Sequence, residues 1–171
     1  MRITVLQTDI TREHVDAIVN AANAALAGGG GVDGAIHRAA GPVLMRECDK
    51  IRAAQGGCPT GSAVITAAGN LPCRFVIHAV GPVWHGGNNH EDEMLASAYR
   101  KCLELAESHR LKTIAFSNIS TGVYGFPKQR AAEIVARVVA EFTLHVKSLE
   151  EVRFICHDRE NQEIYSRLFA Q

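Results

Sequence analysis

Residues 19–41 read VNAANAALAGGGGVDGAIHRAAG, and the organisation of the chain follows from this stretch. It opens at the end of an apolar strand-like run, 16–20. It passes through Gly28-Gly29-Gly30-Gly31 and then Val32-Asp33-Gly34, and continues as a helical pattern from Gly34 to about Ala40. Four consecutive glycines are costly in chain entropy. Two explanations compete: a floppy surface loop, or backbone brought close to a ligand with successive N–H groups turned toward an anion. The position between a strand and a helix favours the second, because open α/β sheets bind ligands there. The helix N-terminus that follows adds partial positive charge.

A second stretch repeats the pattern. Ser120-Thr121-Gly122-Val123-Tyr124-Gly125-Phe126-Pro127 follows a strand-like run and precedes a helix. Alone it reads equally well as an ordinary β–α turn. Together, the loops Gly28–Gly34 and Ser120–Gly125 form two walls able to grip the two anionic centres of a diphosphate. Neither carries the lysine of GxxxxGK[ST], which argues against a nucleoside-triphosphatase.

The remaining chain alternates strand-like and helical segments. Strands are expected at 2–7, 16–20, 62–67, 74–80, 112–118 and 151–156, several as continuous apolar runs suited to burial on both faces. Leu95, Tyr99, Cys102, Leu103 and Ala106 form one amphipathic stripe, and Ile134, Val135, Val138, Val139 and Phe142 another. Pro127 suits the start of the second helix, and Glu133 and Arg137 can pair on it at i, i+4. A last helix is expected from Glu160 to Phe169. The alternation argues for a layered α/β domain. His85–Asp92, rich in glycine and asparagine, is the one weakly ordered candidate.

Lys+Arg and Asp+Glu both number 18, so no electrostatic footprint marks a nucleic-acid or membrane partner. An anionic ligand would have to be held mainly by backbone N–H groups. No apolar run approaches the roughly 18–20 residues that span a bilayer, and no signal-peptide pattern precedes residue 2. The five cysteines, an odd number without CxxC, suggest a reducing compartment such as the cytoplasm. Cys102 and Cys156 fall on apolar periodic positions and read as core. The eight histidines lack metal-ligand spacing, so no metal site is expected.

Several side chains could carry chemistry. Asp33 is out of place, because a carboxylate in an anion-binding loop repels the ligand. It can be the N-cap of the helix from Gly34, a base or orienting acceptor for a water or ribose hydroxyl, or both. Asn23 offers donor and acceptor to sugar hydroxyls, or makes an Asx-type turn. Asp9 could accept from the amino group of an adenine or cap the turn after it. Tyr124 could pack over a sugar or fill the cleft wall.

These residues match a family. The chain resembles macrodomains of the MacroD type, and within them is most similar to bacterial O-acetyl-ADP-ribose deacetylases. The 19–41 stretch carries most of the resemblance, ISTGVYGFP from Ile119 much of the rest, and CPTGSAVITAAGNLP from Cys58 and HAVGPVW from His78 extend it across the middle. The resemblance implies a single three-layer α/β/α macrodomain over 1–171, with a mixed central sheet and ADP-ribose in the cleft. Asp9 and Ile10 would hold the adenine, and Ser120, Thr121, Gly122, Val123 and Tyr124 would wrap the diphosphate. Gly31, Val32 and Asp33 would line the phosphate and distal-ribose end. Asn23 would orient that ribose, and Asp33 would be the catalytic acid/base. One departure stands out: the family usually has Gly-Asp-Ile-Thr where this chain has Thr8-Asp9-Ile10-Thr11, so a tight glycine approach is not expected at Thr8.

The implied activity is hydrolysis of an ester on the distal ribose, giving ADP-ribose and acetate from O-acetyl-ADP-ribose. Mono-ADP-ribosylated Asp or Glu side chains of proteins would be a further substrate class. No cofactor or metal is required, and nothing in the sequence demands more than a monomer. Ser120 as nucleophile lacks a His/Asp partner pattern. The chief alternative is a reader that binds ADP-ribose without turnover; a regulatory protein acting through a partner surface has less support. The pair Asn23 and Asp33 favours the hydrolase.

Overall fold

The computed structural model describes residues 1–170. Six strands form one sheet: β1 (Arg2–Gln7), β2 (Ala17–Ala21), β3 (Ala63–Ala67), β4 (Phe75–Ala79), β5 (Thr113–Phe116) and β6 (Glu151–Cys156). Five helices pack on it: α1 (Gly31–Ala40), α2 (Pro42–Gln55), α3 (Glu91–Ser108), α4 (Lys128–Thr143) and α5 (Arg159–Leu168). The strand order is β1-β6-β5-β2-β4-β3, parallel throughout except for the antiparallel pair β3–β4. This is the expected three-layer α/β/α arrangement with a mixed sheet.

The period-2 alternation of the strands divides the core. Ala17 and Val19 of β2, with Ile77 and Ala79 of β4, face a core shared with α3, α4 and α5. Ile18 and Val76 face the other side and pack with Ile36 and Ala40 of α1 and Leu44 of α2. Both faces are covered, so the strands read as continuous apolar runs. Cys102 and Cys156 lie in the larger core, and all five cysteines are buried and free.

This layering positions a crevice. The chain leaves β2 for α1 on one face and leaves the adjacent β5 for α4 on the other. The loops after these two parallel strands therefore diverge at their C-terminal ends, which opens a cleft there. The expected helix stripes and most strand positions agree with the structure, β5 being the shorter strand Thr113–Phe116.

Four local expectations are corrected. The helix expected from Gly34 begins at Gly31, with Gly30 as N-cap, so Asp33 stands in its first turn and does not cap it. No helix was expected at 42–55, where α2 buries only Leu44 and Cys48, a stripe too narrow for a periodic signal among its charged neighbours. Its punctuation was nevertheless present, as Gly41-Pro42 at the start and Gly56 at a left-handed C-cap. Glu133 accepts from Gln129 one turn earlier (3.0 Å), and no Glu133–Arg137 ion pair forms among the described residues.

The fourth correction concerns His85–Asp92, where a carboxylate ties the loop down. Glu91 accepts the backbone amides of His85 (2.8 Å), Gly87 (3.0 Å) and Asn89 (2.6 Å). Burial alone would raise its pKa, but these amides win and hold it down to about 2. No helix among the described residues is long and apolar enough to cross a membrane.

Candidate active site

A cavity of about 900 Å³ opens at the C-terminal ends of the parallel strands. Every residue singled out from the sequence lines it: Asp9, Ile10, Asn23, Gly31, Val32, Asp33 and the run from Ser120 to Tyr124.

The first wall is the glycine run. Gly28 (φ +80°) and Gly31 (φ +58°) take left-handed conformations that side-chain-bearing residues avoid. Gly30 supplies no side-chain acceptor to the first turn of α1. The orphan amides of this helix start have no side-chain cap, and its first residues, Gly31 to Asp33, line the cleft. Gly34 is required by contact, since a Cβ there would come within 2.6 Å of the Gly29 carbonyl. The approach to the run is pinned from α2, where Arg52 Nη1 donates to the Leu26 carbonyl (2.6 Å).

Asn23 braces the same loop. Its Nδ2 donates to the Gly28 carbonyl (2.8 Å) and its Oδ1 accepts from the Ala27 amide (3.2 Å). It thus makes the Asx-type turn and still keeps one N–H for a ligand. Asp33 sits beside it: a Cβ at Gly29 would lie 3.6 Å from Asp33 Oδ2 and 3.9 Å from Asn23 Nδ2. Gly29 thus lies between the Asp33 carboxylate and the Asn23 amide, with each at ordinary contact distance from where its Cβ would be.

The second wall is fixed by other means. Ser120 adopts φ +68° without being glycine. The loop is closed by Gly125 N–H to the Gly122 carbonyl (3.0 Å) and Phe126 N–H to the Ser120 carbonyl (2.9 Å). Trp84 N–H to the Tyr124 carbonyl (2.8 Å) ties it to the neighbouring segment. The amides of Thr121, Gly122 and Val123 make no hydrogen bond within the described residues. Ser120 Oγ is buried without a partner, so no base stands ready to make it a nucleophile.

Asp9 lies after β1 and caps the 3₁₀ turn Ile10–Arg12. Its Oδ1 accepts from the Thr11 hydroxyl (2.7 Å) and amide (3.0 Å). These bonds, the hydroxyl foremost, hold its carboxyl below the ordinary value, and Arg12 Nε stands 3.9 Å from Oδ2. Thr8 is not among the residues with positive φ.

A Macro domain family model matches residues 19–135. The chain belongs to the macrodomain family. An O-acetyl-ADP-ribose deacetylase of Escherichia fergusonii is 58% identical over 99% of this chain and 96% of the relative. The one from Escherichia coli K12 is 55% identical over 99% and 96%. Among solved structures, an Oceanobacillus iheyensis macrodomain carrying a glycine-to-valine substitution, with ADPR, superposes with a TM-score of 0.91 at 41% identity, covering 96% of this chain and 89% of that one. A Trypanosoma brucei macrodomain in complex with ADP-ribose superposes at 0.88 with 41% identity, covering 97% and 68%.

The structure of this macrodomain also brings to the cleft region residues that its sequence did not single out. Asn20 is fully buried on β2, and its Nδ2 donates to Asp33 Oδ1 (2.7 Å). His37 Nε2 stands 3.4 Å from the same oxygen. Arg38, one turn after Gly34, brings a cation to the lining, and Asn118, His157 and Asn161 complete it. Gly81 lets the second wall close, because a Cβ there would collide with Ser120 Oγ and Ile119 Cγ2. One signal was available: Asn20 and His78 interrupt continuous apolar strands, and polar groups buried in that way need partners. Among the described residues no group of three or more His, Cys, Asp or Glu side chains is placed to hold a metal.

Proposed function

We propose that this macrodomain binds ADP-ribose and hydrolyses an ester on its distal ribose, converting O-acetyl-ADP-ribose and water into ADP-ribose and acetate. The observation that carries it is the state of Asp33. The side chain is buried at the cleft wall, and Oδ1 is engaged by Asn20 and approached by His37. Oδ2 has no partner among the described residues and lies on the Gly29 and Asn23 side. A carboxylate with one oxygen anchored and the other free can hold and deprotonate a water.

The rest of the site has matching parts. The diphosphate takes the free amides of the α1 start and of Thr121–Val123, which offer charge-matched donors without lysine. The adenine amino group takes Asp9 Oδ2, and Ile10 receives the ring edge through its backbone. The remaining N–H of Asn23 holds a hydroxyl of the distal ribose. Water held by Asp33 Oδ2 attacks the acyl carbon, and the acyl C–O bond to the ribose breaks. The proton taken by Asp33 passes to the departing ribose oxygen, leaving acetate. Fixed orientation of ester and water supplies much of the rate. The same bond joins ADP-ribose to Asp or Glu side chains of modified proteins, so mono-ADP-ribosylated protein is the second substrate class.

Incubation with O-acetyl-ADP-ribose and, separately, with protein mono-ADP-ribosylated on Asp or Glu tests this, with both products followed by mass. Acetate and ADP-ribose are expected from the first, and free ADP-ribose with unmodified protein from the second. Tight binding without product from either would make the domain a reader.

A further inference from the structure

Behind the first wall runs a chain of buried polar groups, of which the proposed chemistry uses only the end at Asp33 and Asn20. Asn20 of β2 and His78 of β4 are paired in the parallel register, so their side chains emerge side by side on the α1–α2 face of the sheet. Asn20 Nδ2 lies 2.7 Å from Asp33 Oδ1 and 3.2 Å from His78 Nδ1. His78 Nε2 lies 3.0 Å from the hydroxyl of Thr66 on β3, and that hydroxyl lies 3.0 Å from the Ala67 carbonyl. Asn20 is fully buried, and His78 and Thr66 are buried with it.

The chemistry gives this chain one direction. Asp33 accepts, so Asn20 must turn its amide nitrogen toward it. The two hydrogens of that nitrogen then serve Asp33 and His78, which makes His78 Nδ1 an acceptor and places the ring proton on Nε2. Nε2–H donates to the Thr66 hydroxyl, and the hydroxyl donates to Ala67. Cys48 Sγ, 4.0 Å from Nε2, is a longer and weaker competitor. Burial, with His37 nearby, keeps the ring neutral by depressing its pKa to about 3. The arrangement is not the one that stability alone would select. Asn20 Oδ1 is left buried without a partner, a cost that an apolar pair across β2 and β4 would not carry.

We propose that His78, backed by Thr66, is a positioning residue for the deacetylation: its Nδ1 lone pair locks the Asn20 amide so that Asn20 anchors Asp33 Oδ1 and leaves Oδ2 to the water. The proposal rests on the ester-hydrolysis reading above. His78 does not contact substrate. It acts through Asn20 on the aim of one carboxylate oxygen, and a small misplacement of a reacting group is enough to lower a rate roughly 100-fold.

The tautomer is tested directly by ¹⁵N NMR of the wild-type protein at neutral pH. Nε2-protonated, Nδ1-accepting His78 is expected; an Nδ1–H tautomer overturns the proposal. Turnover of O-acetyl-ADP-ribose is then compared in two variants. His78→Gln offers no acceptor at the Nδ1 position, and kcat is expected to fall about 10- to 100-fold with KM and calorimetric ADP-ribose affinity little changed. His78→Asn places an amide oxygen near the Nδ1 position and is expected to recover part of that loss. Equal kcat in all three proteins, or a loss of ADP-ribose affinity parallel to the loss of kcat, overturns the proposal.

Thr66 gives a second route that leaves the ring in place. Thr66→Val removes the acceptor of Nε2–H and should lower kcat, and Thr66→Ser should restore it. If Thr66→Val matches wild type, Thr66 has no part in the positioning. A wild-type protein that fails to turn over would defeat the hydrolase reading, and the NMR result would still decide the orientation of the chain.

Discussion

The two walls of the cleft are built from similar sequence and work differently. The 28–34 wall spends four glycines to bring backbone past Asp33 and Asn23, with a buried polar chain through Asn20 and His78 behind it. The 120–125 wall has apolar support: Ile119 and Phe126 are buried, Trp84 packs on Phe126 at 4.8 Å between ring centres, and Val123 at the tip is wholly exposed. The first wall aims a carboxylate, and the second presents amides and closes by shape. A strand–loop–helix pattern with small residues therefore identifies where the cleft lies. The polar groups behind the loop determine which wall can do chemistry.

That contrast can be broken most sharply at Asp33. Asp33→Asn keeps an oxygen for the Asn20 amide and removes the base, so kcat for O-acetyl-ADP-ribose should drop roughly 10²–10⁴-fold while ADP-ribose still binds by calorimetry. Undiminished turnover in this variant would erase the distinction between the walls. At the second wall, Gly81→Ala forces a methyl group against Ser120 and Ile119. Such overpacking costs about 1–3 kcal/mol, read as a lower Tm, and ADP-ribose affinity should weaken by roughly tenfold as the wall is pushed out. Intact affinity would mean that the second wall does not depend on its shape.

A smaller effect is expected at the far side of the cleft. Asp9→Ala should weaken ADP-ribose binding by roughly tenfold or less, the worth of about one hydrogen bond, with kcat at saturation nearly unchanged. Equal affinity by calorimetry would remove Asp9 from the binding surface.

The smallest effect falls outside both walls, at the Glu91 tether. Its carboxyl is depressed from 4.5 to about 2, so the stability it lends is complete above 4.5 and disappears as pH falls through about 2. Protection of the amides in residues 85–90, read as exchange relative to an unstructured peptide at the same pH, should therefore fall across that window in the wild type. Glu91→Gln should exchange faster already at neutral pH and lack the acid step. An unchanged acid profile in Glu91→Gln would place the tether elsewhere.

Much of this molecule was legible in one dimension. The two walls could be read because each glycine cluster sits where a strand pattern gives way to a helix pattern, which is local information. Asp33 could be noticed because a carboxylate in an anion loop is anomalous, and of the two roles open to it the helix cap falls to Gly30 instead. Gly30 and Gly31 let α1 start earlier, and the buried Asn20 amide offers the carboxylate a partner inside the protein. The Asn20–His78–Thr66 chain exists only through strand register, since its members lie 12 and 58 positions apart and meet across β2, β4 and β3. Gly81 was equally silent, because its requirement comes from a loop that folds back on it from Ile119 and Ser120. α2 was missed for the opposite reason: its end signals were present, and its buried face was too narrow to show.

The pairing of β1 has a consequence for the birth of the protein. β1 stands at the edge of the sheet, and among the described residues its only strand partner is β6, with Arg2 opposite Glu151, 149 positions away. As the chain emerges from a ribosome, β2, β4, β5 and the glycine run are all made before β1 has anything to pair with. A nascent chain stopped short of residue 151 holds the residues proposed for chemistry, while Asp9 and Ile10 hang from an unpaired strand. Docking of that strand waits on a contact of long sequence separation, the kind that closes late and slowly. The Asp9–Ile10 end of the cleft therefore depends on the pairing that closes the longest span of chain in the sheet.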